Sequence, residues 1–388
     1  MKTSLESLQK SGRTILFAAI FLLCISGVAI AQSAQDAVPV LEGLDPVMLV
    51  QGKEVPGNLK ITVTRDNFQY MFASEANKAA FEKDPARYEI QLNGSCARMG
   101  PPVRGNPDLY TVYQGRIYIF GSGECKTRFE AAPANYLEAE SEPKTKVAPT
   151  PEALKKGRAL IEQAIRAMGS AKLIDGLTNY VEKTTSLQTR QGSDVEVKTN
   201  LTILFPDRVR LDRVIPDYTN PSVMRQTAVV ITPSDAFAIM PNGIRPMAGA
   251  SRIDQEREIN RRPLAILRAR KNPSFNPAAT GSANVTETTV EQVTVEMDGT
   301  SYILGVDPAS GHILSQSYRR RGPGGDFGQI TRVFSDFRTV GGVTLPFRVT
   351  ATFNGQPCKE QSATVESITL NGKIDPALFE KPKQNGIQ

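Results

Sequence analysis

Residues 329–353 read QITRVFSDFRTVGGVTLPFRVTATF, and this stretch decides the fold of the larger part of the chain. Two runs, Gln329–Val340 and Val343–Phe353, are rich in β-branched and aromatic residues, which suit a half-buried strand. Gly341-Gly342 between them supplies the positive φ that a tight hairpin needs. Working outward, the pattern recurs. Upstream lie Thr286–Met297, Ser301–Val306 and His312–Tyr318, the first two joined at Asp298-Gly299. Further back come Tyr180–Thr189, Val195–Phe205, Arg208–Ile215, Thr227–Ile231 and Ala236–Met240, and downstream Ser362–Leu370. A long antiparallel sheet follows, and such a sheet curls or closes to protect its edges. Helices are few. Leu154, Leu160, Ile161, Ala164, Ile165 and Met168 recur at three- and four-residue spacing, with Gly169 as C-cap. A short apolar segment, Ala171–Leu177, follows, and Arg257–Arg270 reads as helical on either side of Pro263.

Of 388 residues, 40% are apolar and 22% charged, ordinary for a globular chain. The first residues read as an export signal: Lys2, Lys10 and Arg13, then the apolar run Ile15–Ile30, then small Ala29 and Ala31. Cleavage after Ala31 would leave Gln32 first and place the mature protein in the periplasm or outside the cell. An uncleaved anchor and a lipoprotein signal at Cys24 are the other readings, although bulky Leu23 stands where a lipoprotein signal needs a small residue. The signal carries three basic side chains and one acidic one, leaving about +4 of the formal +6. That mild excess fits solubility or a membrane surface and not a nucleic-acid partner. Basic residues crowd between Arg252 and Lys271 and at Arg319-Arg320-Arg321; both read as solvated faces or loop. Gly322-Pro323-Gly324-Gly325 reads as a hairpin tip.

Before residue 138 the chain repeats itself. Tyr70, Phe72, Ser74, Phe81, Pro85 and Tyr88 recur 48 residues on as Tyr118, Phe120, Ser122, Phe129, Pro133 and Tyr136. Each copy reads as a strand ending in Tyr-x-Phe-x-Ser, whose serine caps a helix over Glu75–Lys83 or Gly123–Ala131. Phe81 and Phe129 face inward, and the prolines end the helices. This pattern resembles the YHS domain family over roughly 40–138, through Leu44-Asp45-Pro46-Val47, Gly52-Lys53, Tyr70–Ser74, Phe81, Asp84–Tyr88 and Asn93–Ala97. The resemblance implies a small α+β module related to metal-binding treble clefs. Metal-binding members carry three cysteines; the first copy has Met48, Ala73 and Asn77 there, and the second has Cys96, Gly121 and Cys125. Two thiolates leave zinc short of its four ligands. Cys96 and Cys125 are therefore candidates for a disulfide, for a copper-type site, or for two free thiols. Cys358 stands apart.

Residues 139–151, rich in Glu, Lys, Pro and Thr, read as a linker. Residues 152–383 resemble the Lol-type family of lipoprotein carriers and receptors. The resemblance is carried by Ala167-Met168-Gly169, Phe205–Arg210, Phe334–Arg338, Gly341–Phe347 and Ile374–Phe379. It implies an incomplete β-barrel with lid helices around an apolar cavity, so the fold class expected for the whole is α+β. The candidate lining is Leu204, Leu211, Ile231, Ile239, Phe334, Phe347 and Phe353, and the same residues would serve equally as plain core.

Nucleotide, hydrolase-elbow and zinc-protease motifs are absent, and so is Cys-x-x-Cys. The single histidine, His312, reads as a solvent-facing turn residue, and Asp336 as a residue on the outer face of its strand. No enzyme and no cofactor is expected. The expectation is an exported binding protein for an apolar small molecule or lipoprotein acyl chain, with metal handling through Cys96 and Cys125 or a ligand-free scaffold as alternatives. The sequence is silent on oligomeric state.

Overall fold

The computed structural model describes residues 38–382 except 66, 67, 102, 139–147, 191, 218, 219, 221, 242, 248, 298 and 299. The expected signal over 1–31 and most of the expected linker lie outside the described residues.

The elements up to residue 138 are β1 (Val38–Pro39), α1 (Pro46–Val50), β2 (Asn58–Arg65), β3 (Phe68–Phe72), α2 (Glu75–Lys83), α3 (Pro85–Tyr88), β4 (Asn106–Tyr113), β5 (Arg116–Phe120) and α4 (Gly123–Ala131). The hydroxyl of Ser74 accepts from the Asn77 amide, and that of Ser122 from the Cys125 amide, so both helices start at the expected caps. Phe81 and Phe129 are both buried. The repeat extends further than its aromatics show. The β2–β3 and β4–β5 hairpins break register at equivalent places, between Asn58 and Thr62 and between Asn106 and Tyr110. A Cβ on Gly57 would stand 2.6 Å from the Met71 carbonyl carbon, and one on Gly105 would stand 2.5 Å from Ile119. Those glycines let one strand lie on the other. Ile117 and Ile119 of the second copy complete the core of the first, so the two copies close on each other.

The remainder comprises α5 (Pro151–Met168), α6 (Ala171–Asp175), β6 (Asn179–Arg190), β7 (Ser193–Leu204), β8 (Arg208–Pro216), β9 (Met224–Ile231), β10 (Ala236–Met240), β11 (Gly243–Pro246), α7 (Gly249–Asn260), α8 (Pro263–Arg268), β12 (Asn276–Val285), β13 (Thr288–Met297), β14 (Thr300–Val306), β15 (Ile313–Arg321), β16 (Phe327–Val340), β17 (Val343–Phe353), β18 (Gln356–Pro357) and β19 (Ala363–Leu370). Among the described residues the strands form one 14-stranded sheet, ordered β11-β10-β9-β8-β7-β6-β19-β17-β16-β15-β14-β13-β12, with β18 on β17. Every neighbouring pair is antiparallel. The sheet does not close: β11 and β12 stand at its two ends. The fold is α+β, an unclosed barrel with helices over one face.

That face and its cover form the main core. Leu160, Ile161, Ala164, Ile165 and Met168 of α5, Ile174 of α6, and Leu264, Ile266 and Leu267 of α8 pack on inward residues of the strands. Three sequence expectations need correction. Helix α7 begins at Gly249, not at Arg257; its apolar periodicity is weak, and its anchors are charged, as described below. Strand β12 was not anticipated, because Asn276-Pro277-Ala278-Ala279-Thr280-Gly281 lacks β-branched density. A sheet edge tolerates such a segment. Strand β15 runs on through Arg319-Arg320-Arg321, which is not a solvated loop.

Gly157 sits where α5 crosses β12, and a Cβ there would lie 2.5 Å from the Pro277 carbonyl oxygen. Gly157→Ala gains up to about 1 kcal/mol of helix propensity but forces backbone apart, at a cost of about 1–3 kcal/mol. The variant is expected to unfold at lower urea concentration than the parent. A higher midpoint would show that α5 does not sit this close to β12.

Candidate functional site

The seven candidate lining residues do not line one space. Alternation along a strand sends neighbours to opposite faces, and it divides this set. Ile231, Phe334 and Phe347 are buried under the helices, with Leu211 and Phe353 packed at the margin of that core. Leu204 and Ile239 belong instead to a small cluster on the other face, with Val230, Phe237 and Phe379. Their sequence neighbour positions show the split directly: Ile203 and Ile231 point under the helices, Leu204 and Val230 away. The inward set is buried in one continuous core. The apolar gap at the helix–sheet seam, bounded by Ala164, Met168, Pro263, His312, Ile313, Phe337, Thr344 and Pro346, measures only about 10 Å³. That is room for a single water. His312 is half-buried there, stacked on Phe337 at 4.3 Å, and not in open solvent. Asp336 is exposed and pairs with Arg338.

A second feature was not foreseen. Gln316, Tyr318 and Arg320 of β15 face inward beside Ile330, Arg332 and Phe334 of β16, so a polar stripe runs through an apolar face. Glu258 of α7 meets it. Its carboxylate contacts Arg320 at 2.7 Å, Arg332 at 3.6 Å and Arg261. Arg261 and Arg332 also lie over the Tyr318 ring, at 4.8 and 5.5 Å. Burial alone would raise the Glu258 carboxyl, but the three guanidiniums outweigh it and hold the group at about 2. Gln316 donates to the Arg261 carbonyl at 2.5 Å. Nearby, Arg262 pairs with Glu182 at 2.6 Å, and Glu182 accepts the Tyr180 hydroxyl. Arg270 grips Asp175 through two contacts of 2.8 Å, Lys271 adds a third, and that carboxyl is also held at about 2. The signal was present in Gln316-x-Tyr318-x-Arg320, whose spacing puts all three on one strand face.

At the end of β15 a cavity of about 160 Å³ is bounded by Arg320, Arg321, Gly322, Pro323, Ile330, Cys358, Glu360 and Gln361. Burial and Glu360 push the Cys358 thiol up.

Cys96 and Cys125 are buried free thiols. Burial pushes the Cys125 thiol up, but hydrogen bonds from Ser122, Arg98 and Cys96 together bring it below its ordinary value. Arg98 stands 3.7 Å from its sulfur. In the first copy the equivalent space is closed by Asp45, whose carboxylate accepts from the Ala73 amide and the Asn77 side chain, each at 2.7 Å. Among the described residues no group of three or more His, Cys, Asp or Glu side chains is placed to hold a metal ion.

No family model and no curated protein matches the sequence. Among solved structures, the chain is similar to a DUF1329 family protein from Desulfovibrio piger, at 14% identity and TM-score 0.37, over 58% of this chain and 97% of that one. It is similar to the LolA superfamily protein NE2245 from Nitrosomonas europaea, at 13% identity and TM-score 0.38, over 58% and 97%. It is also similar to LprF from Mycobacterium bovis, at 15% identity and TM-score 0.21, over 58% and 93%. Among the described residues no helix is long and apolar enough to cross a membrane.

Glu258 makes stability depend on pH. Its folded value lies below the unfolded 4.5, so its contribution is complete above about pH 5 and is lost as pH falls towards 2. The size is roughly 3 kcal/mol. Urea melts between pH 6 and 2.5 are expected to show this loss, and Glu258→Gln to be less stable at pH 6 and flatter below pH 5. Parallel curves for parent and variant would remove Glu258 from this role.

Proposed function

We propose that the protein is an exported, non-enzymatic carrier that holds an apolar ligand, a lipid or a lipoprotein acyl chain, between the sheet and its helices. The repeat unit before residue 138 is an accessory module. The observation that carries this reading is the way the cover is fastened. Helix α8 contributes Leu264, Ile266 and Leu267 to the apolar interface, but α7 and the ends of α8 are fixed at the rim by charge pairs: Glu258 with Arg320, Arg262 with Glu182, Arg270 with Asp175. The two pairs at the ends of α8 are partly exposed and contribute about 0–1 kcal/mol each, whereas the more deeply buried Glu258 cluster, worth roughly 3 kcal/mol, keeps α7 in place. Lifting α8 also exposes three aliphatic side chains, at about 1.5–3 kcal/mol each. A twelve-carbon acyl chain laid in the same place returns about 10 kcal/mol, at ~0.8 per buried CH₂. Such a chain therefore offsets the cost of opening, and in its absence the interface closes on itself.

The seam marks where opening would start. Pro263, the first residue of α8, borders it, facing Ala164 and Met168 of α5. The short segment Arg261-Arg262 that joins α7 to α8 serves as the hinge. The chemistry asked of the site is burial alone.

Protein isolated from the cell envelope without detergent is expected to release a lipid or acyl species, near one per chain, on solvent extraction and mass spectrometry. It should begin at Gln32. Asp175→Asn, which loosens the Arg270 latch, is expected to take up a fluorescent fatty acid several-fold faster than the parent. An extract free of lipid, together with no fatty-acid uptake by either protein, would leave a filled scaffold and sink the carrier reading.

A further inference from the structure

Arginines crowd at the far end of β15. Arg321 is half-buried, and burial brings it down to about 10. Its donors reach backbone oxygens only: Arg98 at 2.6 Å, Gly325 at 2.7 Å, Tyr136 at 2.9 Å and Ala97 at 3.4 Å. Among the described residues no carboxylate pairs with it, and buried cations are ordinarily paired. Arg320, on the same wall, shares the neutral side-chain oxygen of Gln361 with Arg332, at 3.0 and 2.7 Å. Two guanidiniums thus converge where an anionic oxygen would serve better, and the Arg332 Nε has no acceptor. Among the described residues Glu360 is the one carboxylate on the wall of the 160 Å³ cavity, beside Arg320 and Arg321; Arg261, Arg320 and Arg332 converge on Glu258, and Asp254, Glu138 and Asp326 act on Arg321 from outside that wall. Glu258 is already engaged, and Glu360 takes a hydrogen bond from the Cys358 thiol at 3.7 Å through Oε2. One water needs about 10–15 Å³ of such space, so the cavity holds several. Its volume lies below the roughly 300–1,000 Å³ of pockets that enclose whole small molecules.

We propose that this cavity binds a protonated phosphate group, free or as the monoester headgroup of a lipid, with Arg320, Arg321 and Gln361 on its oxygens and Glu360 accepting its P–OH. The guanidinium forks match the tetrahedral oxygens. Glu360 supplies selectivity. A carboxylate repels a fully ionised oxyanion such as sulfate, whereas hydrogen phosphate offers it a proton. Arg321 also binds the backbone of residues 97, 98 and 136, so the site lies at the junction between the repeat unit and the sheet.

The site does not depend on acyl-chain burial. Lipid-free protein that binds phosphate leaves it standing, and lipid-loaded protein indifferent to phosphate overturns it alone. The test is calorimetric titration of the mature full-length protein with inorganic phosphate at fixed ionic strength, with sulfate as control. One phosphate per chain is expected, at least tenfold tighter than sulfate. Arg321→Met should weaken phosphate tenfold or more. Glu360→Gln, which leaves the Arg321 contacts in place, should tighten sulfate and erase the preference. Tighter binding of dihexanoyl phosphatidic acid than of phosphate identifies a headgroup site; equal binding identifies a free-phosphate site. No phosphate binding, equal affinity for phosphate and sulfate in the parent, or an unchanged preference in Glu360→Gln overturns the proposal.

Discussion

An antiparallel sheet with one apolar face must cover that face, and here the cover is made of helices. The packing of α5 and α8 on the inward residues of β6–β19 is the contact on which the rest depends. It buries Ile161, Ile165, Leu264 and Ile266 against Val293, Val295, Leu304 and Phe347. It also fixes where α7 runs, and so brings Glu258 to the arginines of β15 and β16. Without the cover, the stripe of Gln316, Tyr318, Arg320 and Arg332 would face water and need no partner.

Polar and apolar parts of the interface answer to different physics. The apolar part is additive and adaptable: aliphatic side chains exchange for other aliphatic groups at modest cost, which is what a carrier of acyl chains requires. The charged part is not exchangeable. Removing one member of a buried ion pair leaves the others uncompensated, at several kcal/mol. Confining the charges to the rim and to the β15–β16 end separates a region that can open from one that holds its geometry.

The repeat before residue 138 makes a related point. The two copies share their hairpins, their serine caps and the close approach at Gly57 and Gly105, yet differ at one internal position. In the first copy a carboxylate and an amide close the space; in the second, two thiols and Arg98 do. The same backbone thus supports a hydrogen-bonded knot or a pair of sulfurs.

How much of this was legible beforehand follows from range. Alternation, turn glycines, serine caps and helical spacing are local, so the strands from Tyr180 to Leu370, the helices Glu75–Lys83 and Gly123–Ala131, and the α+β class could be read from residue order. Edge strand β12 and the first turns of α7 could not, because their own residues favour neither state strongly: β12 is held by its ladder to β13 and by the crossing of α5 at Pro277, and the start of α7 by Arg252 on the Thr232 carbonyl. The candidate lining was half legible: alternation puts Leu204 and Ile231 on definite faces, but which face the helices cover is decided by packing. The charged cluster needed tertiary structure most. A run of three arginines looks like solvated surface until β15 carries it under a helix, next to a glutamate about sixty residues upstream. Charge in a sequence has a sign and a position, but its environment exists only once the chain has folded around it.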